Sequence, residues 1–347
     1  MMLHKQSTLI LVWLMIGMLA GTAFAHDHQV EPFRIVTTTT QATDLVHILT
    51  EGADGIEISP LMGAGVDPHL YQPTEADIVA MNQADMVVYS GLHLEGQFDV
   101  VFRALRERGV IVYSMGDAVK DAGFVIGAFD VDQDVLGADD PHFWFDPRNW
   151  ELVALDLADV FASLDADQAD IYRANAEAYA EALELLYEWA DEGLRAVSGG
   201  QRYLVTSHDA FQYFGAAFGW RMAAIQGIST ESEAGVGDIQ GTVRFVIANN
   251  IPVLFVESSI PPNTVDAVIE AVNVAGGQVR VGVRELYSDA MGAPDTFGGT
   301  YVGMIAHNAY TILQSYQCAG VDLDIPEWPE GLTPAPPETL LTVDCEA

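Results

Sequence analysis

The sequence predicts an α/β protein of two lobes, each a parallel sheet flanked by helices, joined by one long linker helix. Three observations carry this. Short β-branched runs alternate with helical periodicity from residue 33 to 113, the signature of βαβ units and parallel strands. The same alternation returns from 203 to 316. Between them, 165–197 has no Pro, one Gly near its end, and an Ala, Glu and Leu bias, which reads as a single long helix.

The elements follow in chain order. FRIVTT, 33–38, is a first strand. Residues 41–51 place Leu45, Ile48 and Leu49 on one helical face. A strand is expected at 56–61, then a helix at 74–83 with Thr74 as N-cap and Asp77 in its first turn. Met86 to Tyr89 is a strand, 98–108 a helix and 110–113 a fourth strand. The long helix starts at a capping-box-like Asp165 and Gln168. Its predicted apolar stripe is Ile171, Ala174, Ala178, Ala182, Leu185, Leu186 and Trp189. At 1.5 Å per residue it spans roughly 50 Å, enough to lie across both lobes. Beyond it come strands at 203–206, 253–256 and 279–283, and helices at 209–217, 242–249, 264–275 and 301–316. The expected division is 26–164, 165–198 and 199–318, with a Pro-rich tail at 319–347.

The amino terminus reads differently. An apolar run, TLILVWLMIGM, precedes Ala23-Phe24-Ala25, the pattern of a secretory signal cut after Ala25. The run is short for a membrane span. No Cys lies near the cleavage point, so an exported protein without a lipid anchor, in a bacterial periplasm, is expected. Cys318 and Cys345 are the only cysteines, and in an exported chain they are expected to pair and pin the tail.

The formal charge is −36. Removing Lys5 with the signal takes Lys+Arg from 14 to 13 against 50 Asp+Glu, near −37. Such a field repels nucleic acid and anionic lipid and gathers cations. Solubility or a salty habitat accounts for it equally well.

Of nine histidines, three share a context. His69 sits in GVDPHLYQP, His142 in DDPHFWFDP and His208 in VTSHDAF. Each follows a small or turn-forming residue, and ligands of open α/β sheets gather outside the carboxyl ends of strands. Three neutral imidazoles there suit a borderline-soft divalent metal. For a fourth ligand, Asp289 in RELYSDAMG competes with Asp209, Asp146 and Glu231 on residue type. A His₃Asp set reserves no position for water, which favours binding over catalysis. Affinity is then expected to fall as pH drops through the imidazole range near 6.5. His26 and His28 suit a loose terminal site or a frayed end, His93 in GLHLEG is ambiguous, His47 reads as a surface or helix-packing residue, and His307 as a packing or hydrogen-bonding one.

VDPHLYQPTEAD, YSGLHLE, DPHFWFDP, TSHDAFQYFGAAFGW, QGISTESEAG, ELYSDAMG and TYVGMIAHN occur in this order. Together they resemble the zinc/manganese solute-binding proteins of ABC transporters, the cluster A-I group, from about residue 33 to 313. The resemblance implies a metal held in the interlobe cleft by His69, His142, His208 and Asp289, two from each lobe. It implies no enzyme activity, a Zn²⁺ or Mn²⁺ cargo (the donor set also admits Fe²⁺), and a membrane permease with its ATPase as partners. A monomer is expected. Two departures bear on the metal. Residues 117–140 carry seven Asp and no His, where zinc-specialised relatives carry a His-rich loop. His208 stands where manganese-specialised relatives often carry Glu.

Overall fold

A computed structural model describes residues 31–127 and 139–345. The expected signal segment, His26, His28 and the middle of the acidic loop lie outside the described residues.

The amino-terminal half is built from β1 (Phe33–Thr37), α1 (Thr40–Leu49), β2 (Ile56–Pro60), α2 (Glu75–Gln83), β3 (Met86–Tyr89), α3 (Asp99–Glu107), β4 (Ile111–Ser114) and α4 (Met115–Asp121). The strands form one parallel sheet in the order β2-β1-β3-β4. Ile35, Met86 and Val88 are fully buried, as a sheet covered on both faces requires. The start of α2 is the predicted one. Thr74 Oγ1 accepts the Asp77 amide while Asp77 Oδ2 accepts the Thr74 amide, a reciprocal cap.

Two long helices follow, α5 (Pro147–Leu164) and α6 (Ala169–Ala196). Here the sequence reading needs correction. The helix α5 was not anticipated, although Asp146 accepts the Arg148 amide and Pro147 occupies its first turn. Asp165 ends α5 and does not begin α6. Its carboxylate accepts Gln168 Nε2, which also bonds Asp54 O, so these residues form the corner between the helices. The buried face of α6 is Tyr172, Ala176, Tyr179, Leu183, Leu186, Trp189, Ala190, Gly193 and Leu194. Only Leu186 and Trp189 belong to the predicted stripe. The two tyrosines bring far more apolar area to the core than Ala174 or Ala178, and they set the helix's rotation.

The second half comprises β5 (Tyr203–His208), α7 (Gln212–Phe218), β6 (Arg221–Gln226), α8 (Val236–Asn249), β7 (Val253–Leu254), α9 (Asn263–Val274), β8 (Arg280–Val281) and α10 (Tyr301–Cys318). Its strands form two parallel pairs, β5-β6 and β7-β8, linked where Phe255 N–H donates to Val205 O. The strand β6 was missed, since RMAAIQ holds one β-branched residue. The tail carries a short α11 (Glu338–Leu341). The expected Cys318–Cys345 disulfide is present, and Arg280 donates to the carbonyls of both cysteines.

One apolar cluster runs through both halves. It contains Leu45 and Val46 of α1, Trp150 of α5, Leu186 of α6, and Met291, Tyr301 and Ile305 around α10. This core fixes the two sets of strands relative to each other.

Candidate metal centre

The structure brings His69, His142, His208 and Asp289 together from four separate places in the chain. His208 is the last residue of β5, and Asp289 lies in the loop between β8 and α10. His69 occupies the turn between β2 and α2, and His142 precedes a 3₁₀ turn, Phe143–Phe145, that leads into α5. One donor atom from each falls within 4.8 Å of all the others.

The separations have the scale of a coordination shell. His69 Nε2 lies 3.4 Å from His142 Nε2. Asp289 Oδ1 is 3.4 Å from His142 Nε2, and Oδ2 is 3.1 Å from His208 Nε2 and 3.8 Å from His69 Nε2. Tetrahedral ligands about 2.0–2.1 Å from one ion lie roughly 3.3 Å apart. All four residues are at most 5% exposed. His208 Nε2 and both Asp289 oxygens are buried without a hydrogen bond. The close approach of His208 to Asp289 is thus a contact of charges without hydrogen-bond alignment. Buried polar atoms are normally satisfied, and a shared cation would satisfy these.

The rings are oriented from behind. Asp140 Oδ1 accepts the His142 amide at 2.9 Å and faces His142 Nδ1 at 2.8 Å. Glu257 does the same for His208, with Oε1 on the amide at 2.9 Å and Oε2 2.5 Å from Nδ1. A carboxylate on Nδ1 keeps the hydrogen there and leaves Nε2 as the donor to a metal. Neither Asp140 nor Glu257 was singled out from sequence. An Asp two residues before the His, in both Asp-Pro-His stretches, was a readable signal for the first.

The electrostatics are uneven. Burial pushes His69 down to about 3. Burial also lowers His142, but Asp140 and Asp289 outweigh it and leave His142 at about 9. At His208, Asp289 and Glu257 overcome burial and raise the ring well above its ordinary value. Asp289 is raised by burial, yet His208 and His142 hold it well below the usual carboxylate range. A cation that binds Nε2 of His142 and His208 displaces the protons these rings hold.

The rival residues lie elsewhere. Asp209 accepts Gln212 Nε2, Asp146 caps α5 and pairs with Arg148, and Glu231 accepts Gln97 Nε2 at 2.7 Å on the exposed rim. The His93 side chain is 80% exposed, 3.7 Å from Asp99. His307 Nε2 bonds Glu285 O. The His47 ring lies in the last turn of α1.

Comparison with known proteins follows the same line. The family of zinc-uptake complex component A periplasmic proteins (ZnuA) matches residues 35–315. The manganese-binding lipoprotein MntA of Bacillus subtilis is 34% identical over 299 residues, 85% of this chain and 93% of its own length. The zinc-binding protein TroA of Treponema pallidum is 36% identical over 279 residues, 80% of this chain and 87% of its own. A solved structure of the periplasmic zinc-binding protein TroA from Treponema pallidum superposes with a TM-score of 0.75 at 34% identity, covering 82% of this chain and 99% of that one. Because several relatives are named lipoproteins, the expectation of an unanchored chain finds no support from them.

Proposed function

The chain belongs to the zinc-uptake complex component A family, and from that premise we propose that it captures one divalent transition-metal ion outside the cell and hands it to an ABC permease. His69, His142, His208 and Asp289 are the proposed ligands. The observation that carries this reading is the buried set of donors turned on one point, with His208 Nε2 and both Asp289 oxygens otherwise unsatisfied.

Zinc or manganese is the proposed cargo, as the names of the relatives suggest. Three imidazoles and a carboxylate suit a tetrahedral Zn²⁺, and generic affinity ranks zinc above manganese. The two Asp289 oxygens face different histidines, an arrangement that also accommodates a five-coordinate Mn²⁺. We take the site as one that binds both, zinc more tightly in solution. Capture without chemistry is favoured over hydrolysis, because three imidazoles and a carboxylate fill a tetrahedral shell and reserve no position for a reactive water. A periplasmic site of action fits both the family and the amino-terminal signal pattern.

Competitive titration with a chromophoric chelator tests the assignment. His69→Ala, His142→Ala, His208→Ala and Asp289→Ala are each expected to lower affinity by more than about 100-fold, beyond the range typical of outer-shell partners. Stoichiometric binding at parental affinity in any two of them contradicts the ligand set.

A further inference from the structure

The proposed ligands are not held equally firmly. His142 and His208 are each braced by a carboxylate on Nδ1. The Asp289 segment is stitched to the first half of the chain. Ser288 O accepts Trp144 Nε1 at 3.1 Å and Gln41 Nε2 at 3.4 Å, while Met291 N–H donates to Thr40 Oγ1 at 2.8 Å. That side of the centre merges into the continuous apolar core around Tyr301 and Met291.

His69 is the exception. It shares the Asp-Pro-His sequence of His142, and Asp67 Oδ1 takes its amide at 2.9 Å just as Asp140 does for His142. The second Asp67 oxygen goes elsewhere. It accepts a 2.6 Å hydrogen bond from Thr230 Oγ1, 163 positions away in the loop between β6 and α8. Thr230 is 7% exposed. Another link from the first half to this loop, Gln97 to Glu231, lies in the open. On this side the halves meet through polar groups, and one of those bonds reaches the turn that carries a candidate ligand.

The geometry points to Asp67 and Thr230 as positioning residues for His69, forming a latch across the cleft that sets how quickly a captured ion leaves. Resting on the metal-capture reading, this inference adds the side on which the centre opens. The hydroxyl of Thr230 makes a short, charge-assisted bond to Asp67, the stronger class of hydrogen bond. With it in place the His69 turn and the 227–235 loop move as one. Without it the turn is anchored only from its own half, and His69 is the ligand free to swing away first. The braced partners, His142, His208 and Asp289, stay assembled.

The test is a release experiment on the full chain loaded with one equivalent of Zn²⁺ and chased with excess chelator in a stopped-flow instrument. Thr230→Val and Thr230→Ala are expected to release the ion at least about ten-fold faster, the scale of one charge-assisted hydrogen bond. Stoichiometry and association rate stay at parental values, and the melting temperature of the metal-free protein falls only by the few degrees that losing one hydrogen bond costs. Thr230→Ser, which keeps the hydroxyl, restores the parental rate. Gln97→Ala, removing only the exposed link, stays within about two-fold. Parental release from both Thr230→Val and Thr230→Ala overturns the latch, as does release from Thr230→Ser as fast as from Thr230→Ala. Should the parent itself hold no ion, the metal-capture reading fails with it, an outcome distinct from a parent that binds and a latch that does nothing.

Discussion

At the scale of single residues, Glu257 is placed to control the proposed ligand His208 without itself belonging to the donor set. Its two oxygens take the amide and the Nδ1 of His208, so strand end and ring are fixed by one carboxylate. Glu257→Gln replaces one acceptor with an amide donor facing Nδ1, which favours the wrong tautomer. Zn²⁺ affinity measured by competition is expected to fall about 10–100-fold with the one-ion stoichiometry kept. Unchanged affinity contradicts the bracing role. The histidines stood out in the sequence because each followed a small or turn-forming residue. Asp289 stood out only through its resemblance to a family, since Asp209, Asp146 and Glu231 were equal candidates by type. Glu257 was illegible because its partner lies 49 positions away and only the folded register of β5 against the 253–257 stretch brings them together.

At the scale of elements, α1 joins the fold to the site. Its first residues, Thr40 and Gln41, grip the Asp289 segment, and one turn later Asp44 accepts the amide of Tyr301 at the start of α10. Burial raises Asp44 from 3.8 to about 6, against the lowering effect of that amide. The sign is the reverse of the usual carboxylate. Between about pH 4 and 6 the folded chain holds this proton and the unfolded chain does not. Asp44 therefore adds stability as pH falls through 6, fully gained below 3.8, and withdraws it as pH rises. Two units correspond to about 3 kcal/mol as an upper scale. Asp44→Asn keeps an acceptor for Tyr301 and removes the buried charge. It is expected to raise the melting temperature at pH 7.5 and to flatten the change between pH 4 and 6; a lower melting temperature at pH 7.5 contradicts this account. Elements with strong local signals were legible, such as β1, β3 and the capped start of α2. Those shaped by distant packing were not. The rotation of α6 is set by Tyr172 and Tyr179 seeking the core. The start of α8 lies six residues before the predicted one, where Asp238 Oδ2 accepts the Gly235 amide.

At the scale of the whole molecule, the halves are joined by a shared core on one side and by polar contacts on the other. Between these sides sit four buried donors in a chain of formal charge −36. The surrounding field favours the approach of cations, but the donor atoms select among them. The two-lobed plan was legible because alternating strands and helices leave few other arrangements. The stitching of the Asp289 segment to the first half was not, since it depends on Trp144 and Gln41 meeting Ser288 O across more than a hundred residues. The most direct test of the central claim is a crystal structure of the Zn²⁺-loaded chain, with anomalous scattering recorded at the zinc edge. One peak is expected, within about 2.0–2.2 Å of Nε2 of His69, His142 and His208 and of an Asp289 oxygen, with no water in the shell. A principal peak away from these four residues, or one coordinated by fewer than three of them, would contradict the account.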